Sequence, residues 1–266
     1  MPRTKPPLGA RLDGSSSLSK GLVGCWLLNE GGGVKVQTIG SVKALTGTLT
    51  NIANPSTATS GWKPGPFGTT VRFDGSNDYI SVANGSALLA NDLHTVSLWF
   101  TVTSVVNTPM LWSSNASSNE AFLEIGLATT LIWGYRNTIA DATKYRTYTI
   151  PTIATGWHHV VCVKTGTTTG NLYLDGQLQT SFTGNFTSST VNTTSSLEFA
   201  EYATSHGVIA LAGALDNLRV YNRALAADEA MTLYCTPYAG VSLPRLRRYV
   251  KVSAATSGMW INAGHW

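Results

Sequence analysis

Apolar and polar positions alternate with a period of two along much of this chain. The alternation is cleanest from Gly156 to Thr180, which reads GWHHVVCVKTGTTTGNLYLDGQLQT. Successive side chains of a strand point to opposite faces. Trp157, His159, Val161 and Val163 therefore share one face, and His158, Val160, Cys162 and Lys164 share the other. After a Gly and Thr turn, Leu172 and Leu174 fall together, opposite Tyr173 and Asp175. Asp175-Gly176 is a two-residue hairpin sequence, so the stretch predicts a β-meander. Apolar residues occur on both faces, as in a central strand pair of a sandwich.

The same reading continues along the chain. Leu22 to Leu28 predicts a strand broken by Glu30-Gly31-Gly32-Gly33, and Thr46 to Ile52 predicts another. A loop through Pro55, Gly61, Pro64 and Pro66 follows, with Trp62 and Phe67 as its anchors. Val71 to Val82 predicts a hairpin that turns at Asp74 to Asp78, where Asp and Asn bond their own backbone. In Thr95 to Val102, Val96, Leu98, Phe100 and Val102 face inward and Ser97, Trp99 and Thr101 outward. Shorter strands are expected at 110–112, 121–127, 130–136, 145–150, 197–200 and 215–221. Ala226 to Tyr234 predicts the one helix, with Asp228 and Glu229 at its positive end. Many closely spaced strands and a single short helix mean an all-β sandwich or barrel.

Composition agrees. Charged residues are 12% of the 266, and Gly occurs 26 times among abundant Thr, Ser and Asn, the make-up of short strands and tight turns. One domain with tails is expected at this length. The net charge of +4 is unevenly spread. Arg3, Lys5, Arg11 and Lys20 against Asp13 give residues 1–20 a net +3, and Arg245, Arg247, Arg248 and Lys251 give residues 241–266 a net +4, leaving −3 for the body. Basic ends on a mildly acidic body suit docking onto an acidic partner, or serve solubility alone. Met1 to Gly21 lacks the apolar segment of a signal peptide, and no run is long enough to span a membrane, so neither is expected. Cys25, Cys162 and Cys235 lack metal spacing and cannot all pair. They read as reduced and buried, with a Cys25 to Cys235 bridge as the alternative.

Four segments carry a resemblance: GLVGCWLLNEGGG at 21–33, VRFDGSNDYISV at 71–82, GWHHVVCVKTGTTTGNLYLDGQ at 156–177 and GALDNLRVYNRALAADEAMTLY at 213–234. In this order they resemble the laminin G-like (LamG) domains of the concanavalin A-like lectin and glucanase superfamily. The resemblance implies a jelly-roll sandwich of two antiparallel sheets over residues 21–238, with the first and last strands side by side. It leaves a Pro- and Ser-rich arm at 1–20 and a basic tail at 239–266. The architecture also resembles modules encoded in bacteriophage genomes, which implies a non-catalytic accessory protein of a virion surface, assembled in the host cytoplasm. Its partners would be other virion or assembly proteins or further copies of itself. Arg3, Lys5, Arg11, Arg245, Arg247, Arg248 and Lys251 would dock it. A free bacterial carbohydrate-binding or adhesion module is the alternative.

Glucanases of the superfamily place paired acids on alternate positions of one strand, and retaining hydrolysis needs the carboxyls about 5 Å apart. Glu120 and Glu124 are too widely spaced along a strand that rises about 3.3 Å per residue. Glu198 and Glu201 are an odd number apart and would face oppositely. No hydrolase is expected. The resemblance implies a structural calcium ion at Asp216, with Glu30 nearby if the terminal strands adjoin, since calcium seeks six to eight oxygens. Gln37-Thr38-Ile39-Gly40 departs from the family's usual acidic motif at that place. His158 and His159 point to opposite faces and cannot share a metal. Nucleic acid is not expected, because no strand of the body interleaves basic and aromatic residues. Glycan binding is the family's common use of the fold and needs aromatic faces. Trp112, Trp133, Tyr135, Tyr145, Tyr148 and Tyr202 lie outside the four segments and are the candidates, with packing of strand faces as the competing role.

Overall fold

A computed structural model of the chain describes residues 4–40, 45–114, 118–138, 144–153, 156–186, 191–202 and 209–243, and by backbone alone 249–251 and 260–262. In chain order the strands begin with β1 Arg11–Leu12, β2 Leu22–Trp26, β3 Lys35–Val36, β4 Gly47–Thr50, β5 Gly61–Gly65, β6 Gly68–Asp74 and β7 Tyr79–Val82. They continue with β8 Leu93–Ser104, β9 Met110–Ser114, β10 Ser118–Leu127, β11 Thr130–Thr138, β12 Tyr145–Thr149, β13 His158–Thr165 and β14 Gly170–Leu174. The last are β15 Gln177–Gln179, β16 Phe182–Thr183, β17 Leu197–Phe199, β18 Ala212–Tyr221, β19 Val241–Ser242, β20 Tyr249–Lys251 and β21 Trp260–Asn262, with helix α1 Ala227–Cys235 after β18.

Two antiparallel sheets make the sandwich. The larger runs β16-β12-β11-β10-β9-β17-β7-β4-β3, and the smaller runs β15-β14-β13-β8-β18-β6-β5, with β2 also paired to β18. First and last body strands are thus neighbours, as the resemblance implies. The central meander forms as its alternation predicts: β13 pairs with β14 and β8, and Asp175 and Gly176 turn the chain into β15 with φ of 51° and 79°. Two successive positive φ values are the requirement of the tightest hairpin turn, which Gly at the second position meets without strain.

One strand pairing differs from expectation. Val71–Val82 is not a hairpin, since β6 joins the smaller sheet beside β5 and β18 while β7 joins the larger beside β4 and β17. Phe73 and Ile80 both enter the core between the sheets, and the turn at Asp74 to Asp78 carries the chain across it. Asp78 Oδ2 accepts from the Asp74 N–H at 3.1 Å and fixes that corner.

The core between the sheets holds Trp26, Phe73, Leu98, Phe100, Trp112, Leu123, Trp133 and Phe199, all fully buried. The smaller sheet is covered on its outer face too. There Cys25, Val161, Val163, Tyr173 and Tyr221 pack against Leu225, Ala230 and Leu233 of the helical region and against Ala10 and Leu18 of the N-terminal segment. Trp99 lies on this face stacked on Tyr234, with ring centroids 5.7 Å apart. Residues 4–20 are therefore part of the folded body. Cys25 and Cys162 are buried free thiols, whereas Cys235 is exposed rather than buried, because it ends the solvent side of α1.

Two buried imidazoles stay neutral in this core. His94 bonds the Asn91 carbonyl and Tyr135 Oη at 2.6 and 2.7 Å, and burial pulls its pKa down to about 4. His159 bonds Ser97 Oγ at 2.9 Å, and burial, aided by the Arg219 charge, pulls it to about 3. Depressed folded pKa values leave the folded state short of protons that the unfolded chain takes up near pH 6.5. The stabilisation is full above that pH and is lost as pH falls. The expected slope is up to about 1.4 kcal/mol per pH unit for each histidine, opposed by two carboxyls that burial raises, Asp216 and Asp78. Thermal melts between pH 7 and pH 4 should show a steady fall that His159→Gln makes shallower; a flat profile would contradict the assignment.

Candidate functional site

The larger sheet has a different outer face. Each of its strands sends alternate residues inward to the core, so the others must line the opposite side. The pairing registers join these into one transverse row: Lys35 opposite Thr48, Thr48 opposite Ser81, Ser81 opposite Glu198, Glu198 opposite Ser113, Ser113 opposite Phe122, Phe122 opposite Gly134 and Gly134 opposite Tyr145. Eight strands at about 4.8 Å spacing give the row a length of roughly 34 Å. Thr50 and Tyr79 flank it on β4 and β7.

The row changes character along its length. Lys35 is exposed, Thr48, Thr50, Tyr79, Ser81 and Tyr145 are half-buried, and Glu198, Ser113 and Phe122 are buried. Lys35 Nζ donates to Thr48 Oγ1 at 2.7 Å, and Ser81 and Ser196 hydroxyls donate to Glu198 Oε1 at 3.3 and 2.9 Å. Beyond Ser113 the face turns apolar, with Met110, Phe122 and Tyr202 packed together beside Ile132, Tyr145 and Ile209. Gly134 is required there, because a Cβ would lie 2.4 Å from the Phe122 ring. Tyr202 Oη donates to Glu120 Oε2 at 3.2 Å. Glu198 on β17 and Glu120 on β10 lie on the same outer face, with β9 between their strands. Ala200, at φ 75°, ends β17, so the odd spacing of Glu198 and Glu201 does not set their directions; both are buried.

This distribution corrects most of the aromatic candidates. Trp112 and Trp133 are 0% exposed and Tyr135 and Tyr148 1%, all on the inner face of the larger sheet. Trp133 and Tyr135 meet Phe186 edge-on, and Arg146 donates to Tyr148 Oη and lies over Phe182 and Phe186. Their rings are taken up by packing, as large aromatics on strand faces commonly are. Tyr145 and Tyr202 do lie on the outer face, Tyr145 half-buried and Tyr202 6% exposed. Thr48, Tyr79, Ser81 and Glu198 went unselected, although GTLT, YISV and LEF each show a polar residue between inward apolar ones. The alternation was legible, but the strand order that lines these positions up was not.

The metal and docking candidates meet at one place. Asp216, 0% exposed, has Oδ1 at 2.6 Å from Lys5 Nζ, whose side chain is 5% exposed. Lys5 Nζ also donates to the carbonyls of Leu28, at 3.0 Å, and Thr69. Burial pushes the Asp216 carboxyl up to about 6 against the pull of Lys5, and lowers the Lys5 amine against the pull of Asp216. Glu30 is close enough for its charge to act on Lys5, and its Oε1 accepts from the Gln37 N–H at 2.7 Å. A calcium ion on Asp216 would have to displace an ammonium. Among the described residues, no three His, Cys, Asp or Glu side chains gather as a metal site. The donor set as placed fits an amine rather than calcium.

Lys5 is thus withdrawn from any outward docking role by burial. Arg11 is exposed on β1. Arg3, Arg245, Arg247 and Arg248 lie outside the described residues, as does the side chain of Lys251. Among the described residues no helix is long and apolar enough to cross a membrane.

A family model described as "Concanavalin A-like lectin/glucanases superfamily", of laminin G type, matches residues 74–231. No curated protein matches the chain significantly. Among solved structures, domain 4 of AbnA, an extracellular arabinanase from Geobacillus stearothermophilus in complex with arabinotriose, superposes with TM-score 0.59 at 15% identity, over 80% of this chain and 98% of that one. The binding domain of Paraclostridial Mosquitocidal Protein 1 gives 0.60 at 14%, over 84% and 53%. The botulinum neurotoxin serotype D binding domain gives 0.61 at 11%, over 88% and 54%. The chain spans about half of each of these two binding domains.

Core and face residues should separate in mutagenesis. Trp133→Ala should cost about 3–5 kcal/mol of stability. Tyr79→Ala, on the half-buried wing, should cost far less. Urea unfolding checks both, and equal costs would contradict this placement.

Proposed function

This chain belongs to the concanavalin A-like lectin/glucanases superfamily, and on that premise we propose that it is a non-catalytic, lectin-like module that binds a glycan chain along the transverse row of its larger sheet. The row itself carries the reading. It presents donors and acceptors for sugar hydroxyls, from Lys35 through Thr48 and Ser81 to Glu198, on a sheet whose other face is the apolar core. Tyr79 and Tyr145 provide half-buried rings on either side of these groups, placed to meet the apolar faces of sugars. The neighbours support the same use of the fold: one was solved with arabinotriose, and two are binding domains, of a mosquitocidal protein and of a botulinum neurotoxin. Binding without cleavage is our reading because Glu120 and Glu198 are both buried, Glu120 bonded by Tyr202 and Glu198 by Ser81 and Ser196, whereas glycoside hydrolysis needs two carboxyls directed at one bond from roughly 5–9.5 Å apart.

The assembly role rests on the C-terminal tail. Residues 241–266 carry four basic and no acidic side chains, so the partner is an acidic protein surface, in our reading that of a virion. Ending the chain after Leu243 keeps the β1–β19 pair and should leave a folded body that no longer incorporates into particles. Incorporation of the truncated protein would overturn docking by the tail.

A glycan array with the full chain tests the primary reading. Binding to a defined subset of sugars is expected, with Ser81→Ala and Tyr145→Ala each weakening it about tenfold or more while leaving the melting temperature close to wild type. A uniformly blank array, or hits that neither substitution alters, would reject the row as the site.

A further inference from the structure

The N-terminal segment ends in a cage. Lys5 Nζ has three N–H donors, and three oxygens surround it: the Leu28 carbonyl just past β2, the Thr69 carbonyl on β6 and Asp216 Oδ1 on β18. The amine therefore ties β6 and β18 of the smaller sheet to the segment that follows β2. The neighbouring backbone holds it there. The Lys5 N–H donates to the Phe67 carbonyl at 2.8 Å, Asn29 Nδ2 donates to the Pro6 carbonyl at 2.8 Å, and the Lys5 stem crosses Gly68, where a Cβ would lie 3.2 Å from its own.

Two non-glycine residues beside the cage are left-handed, Leu28 at φ 53° and Asn217 at φ 49°. For a residue such as Leu28 this conformation costs about 1–2 kcal/mol and persists where the surroundings impose it. Leu28, just past β2, supplies one of the three acceptors from strained backbone, and Asn217, which tolerates this conformation, follows Asp216. Buried, unpartnered oxygens remain nearby at Asp216 Oδ2 and Glu30 Oε2. An electron-rich pocket of this kind calls for a cation.

We propose that the Lys5 ammonium is a built-in replacement for a metal ion at the junction of the terminal strands, so that the chain's own N-terminal segment, and not calcium, closes the sandwich there. The site is a primary-amine receptor whose ligand is tethered. Its chemistry differs from that of a calcium site in needing three directed acceptors in place of six to eight oxygens. Removing the amine leaves a buried carboxylate without its partner, which is the costly way to break such a pair.

The test uses the full chain and its melting temperature. Wild type should be indifferent to calcium and to EDTA. Lys5→Ala should melt about 6–12 °C lower, and ethylammonium should restore part of that loss, whereas tetramethylammonium at equal ionic strength, which has no N–H to donate, should not. Lys5→Met/Asp216→Asn, which removes both charges, should melt above either single variant and can be read even if Lys5→Ala does not fold. The proposal fails if calcium raises the wild-type melting temperature, if Lys5→Ala melts like wild type, if the two ammonium salts act alike on a folded Lys5→Ala, or if the double variant is no better than the singles. None of these readouts depends on glycan binding.

Discussion

One extra residue in β18 organises both ends of this molecule. Asp216 lies opposite Trp99 of β8 and Arg219 opposite Ser97, so three steps on one strand match two on the other, with Asn217 left-handed at the bulge. In a regular strand Asp216 and Arg219 would face opposite sides; the bulge sends both to the outer face. There Asp216 takes Lys5 of the N-terminal segment. Arg219, fully buried, donates to the carbonyls of Pro237 and Ala239, where the chain leaves the helix for the tail. Arg223, just past β18, holds Glu229 of α1 at 2.6 and 2.7 Å and donates to the carbonyls of Ser17 and Lys20. The start and the end of the folded body are thus clasped to one central strand, and the smaller sheet is closed on both faces.

That closure leaves the two sheets with different work. The smaller sheet spends its outer face on α1 and the N-terminal segment, which fill it with Leu18, Leu225 and Leu233. The larger sheet keeps a polar row that crosses its outer face and grades from solvent at Lys35 to burial at Glu198. The recognition we propose is assigned to the second face, where Thr48, Ser81 and Tyr145 keep partial access to solvent. Structural burden falls on the first, where buried cations are met by carbonyls, a carboxylate and hydroxyls.

Much of the architecture was legible from alternation alone. The 156–180 meander, the inward set Val96, Leu98, Phe100 and Val102, and helix α1 all form where periodicity places them, because alternation along a segment fixes which residues share a face whatever its partners. What was not legible depends on partners far away. VRFDGSNDYISV looks like a hairpin, yet its halves part into opposite sheets, a choice made by β18 and β4 rather than by the turn. Trp112 and Trp133 were offered as binding rings because sequence gives a strand's two faces without saying which one meets the other sheet. The carboxylate at Asp216 was found through its motif, but its partner Lys5 lies 211 positions away, in a segment whose prolines and serines read as an extended arm. The bulge that turns Asp216 and Arg219 to one face has Asn217 as its only local signal, a residue that tolerates the left-handed conformation.

Recognition is proposed for the outer face of the larger sheet. Amide chemical-shift mapping with a glycan selected on an array tests it most directly. Shifts are expected to concentrate at Thr48, Ser81, Glu198, Ser113 and Tyr145, which are far apart in sequence and brought into line only by the row. Shifts concentrated instead on α1 and the outer face of the smaller sheet would contradict it.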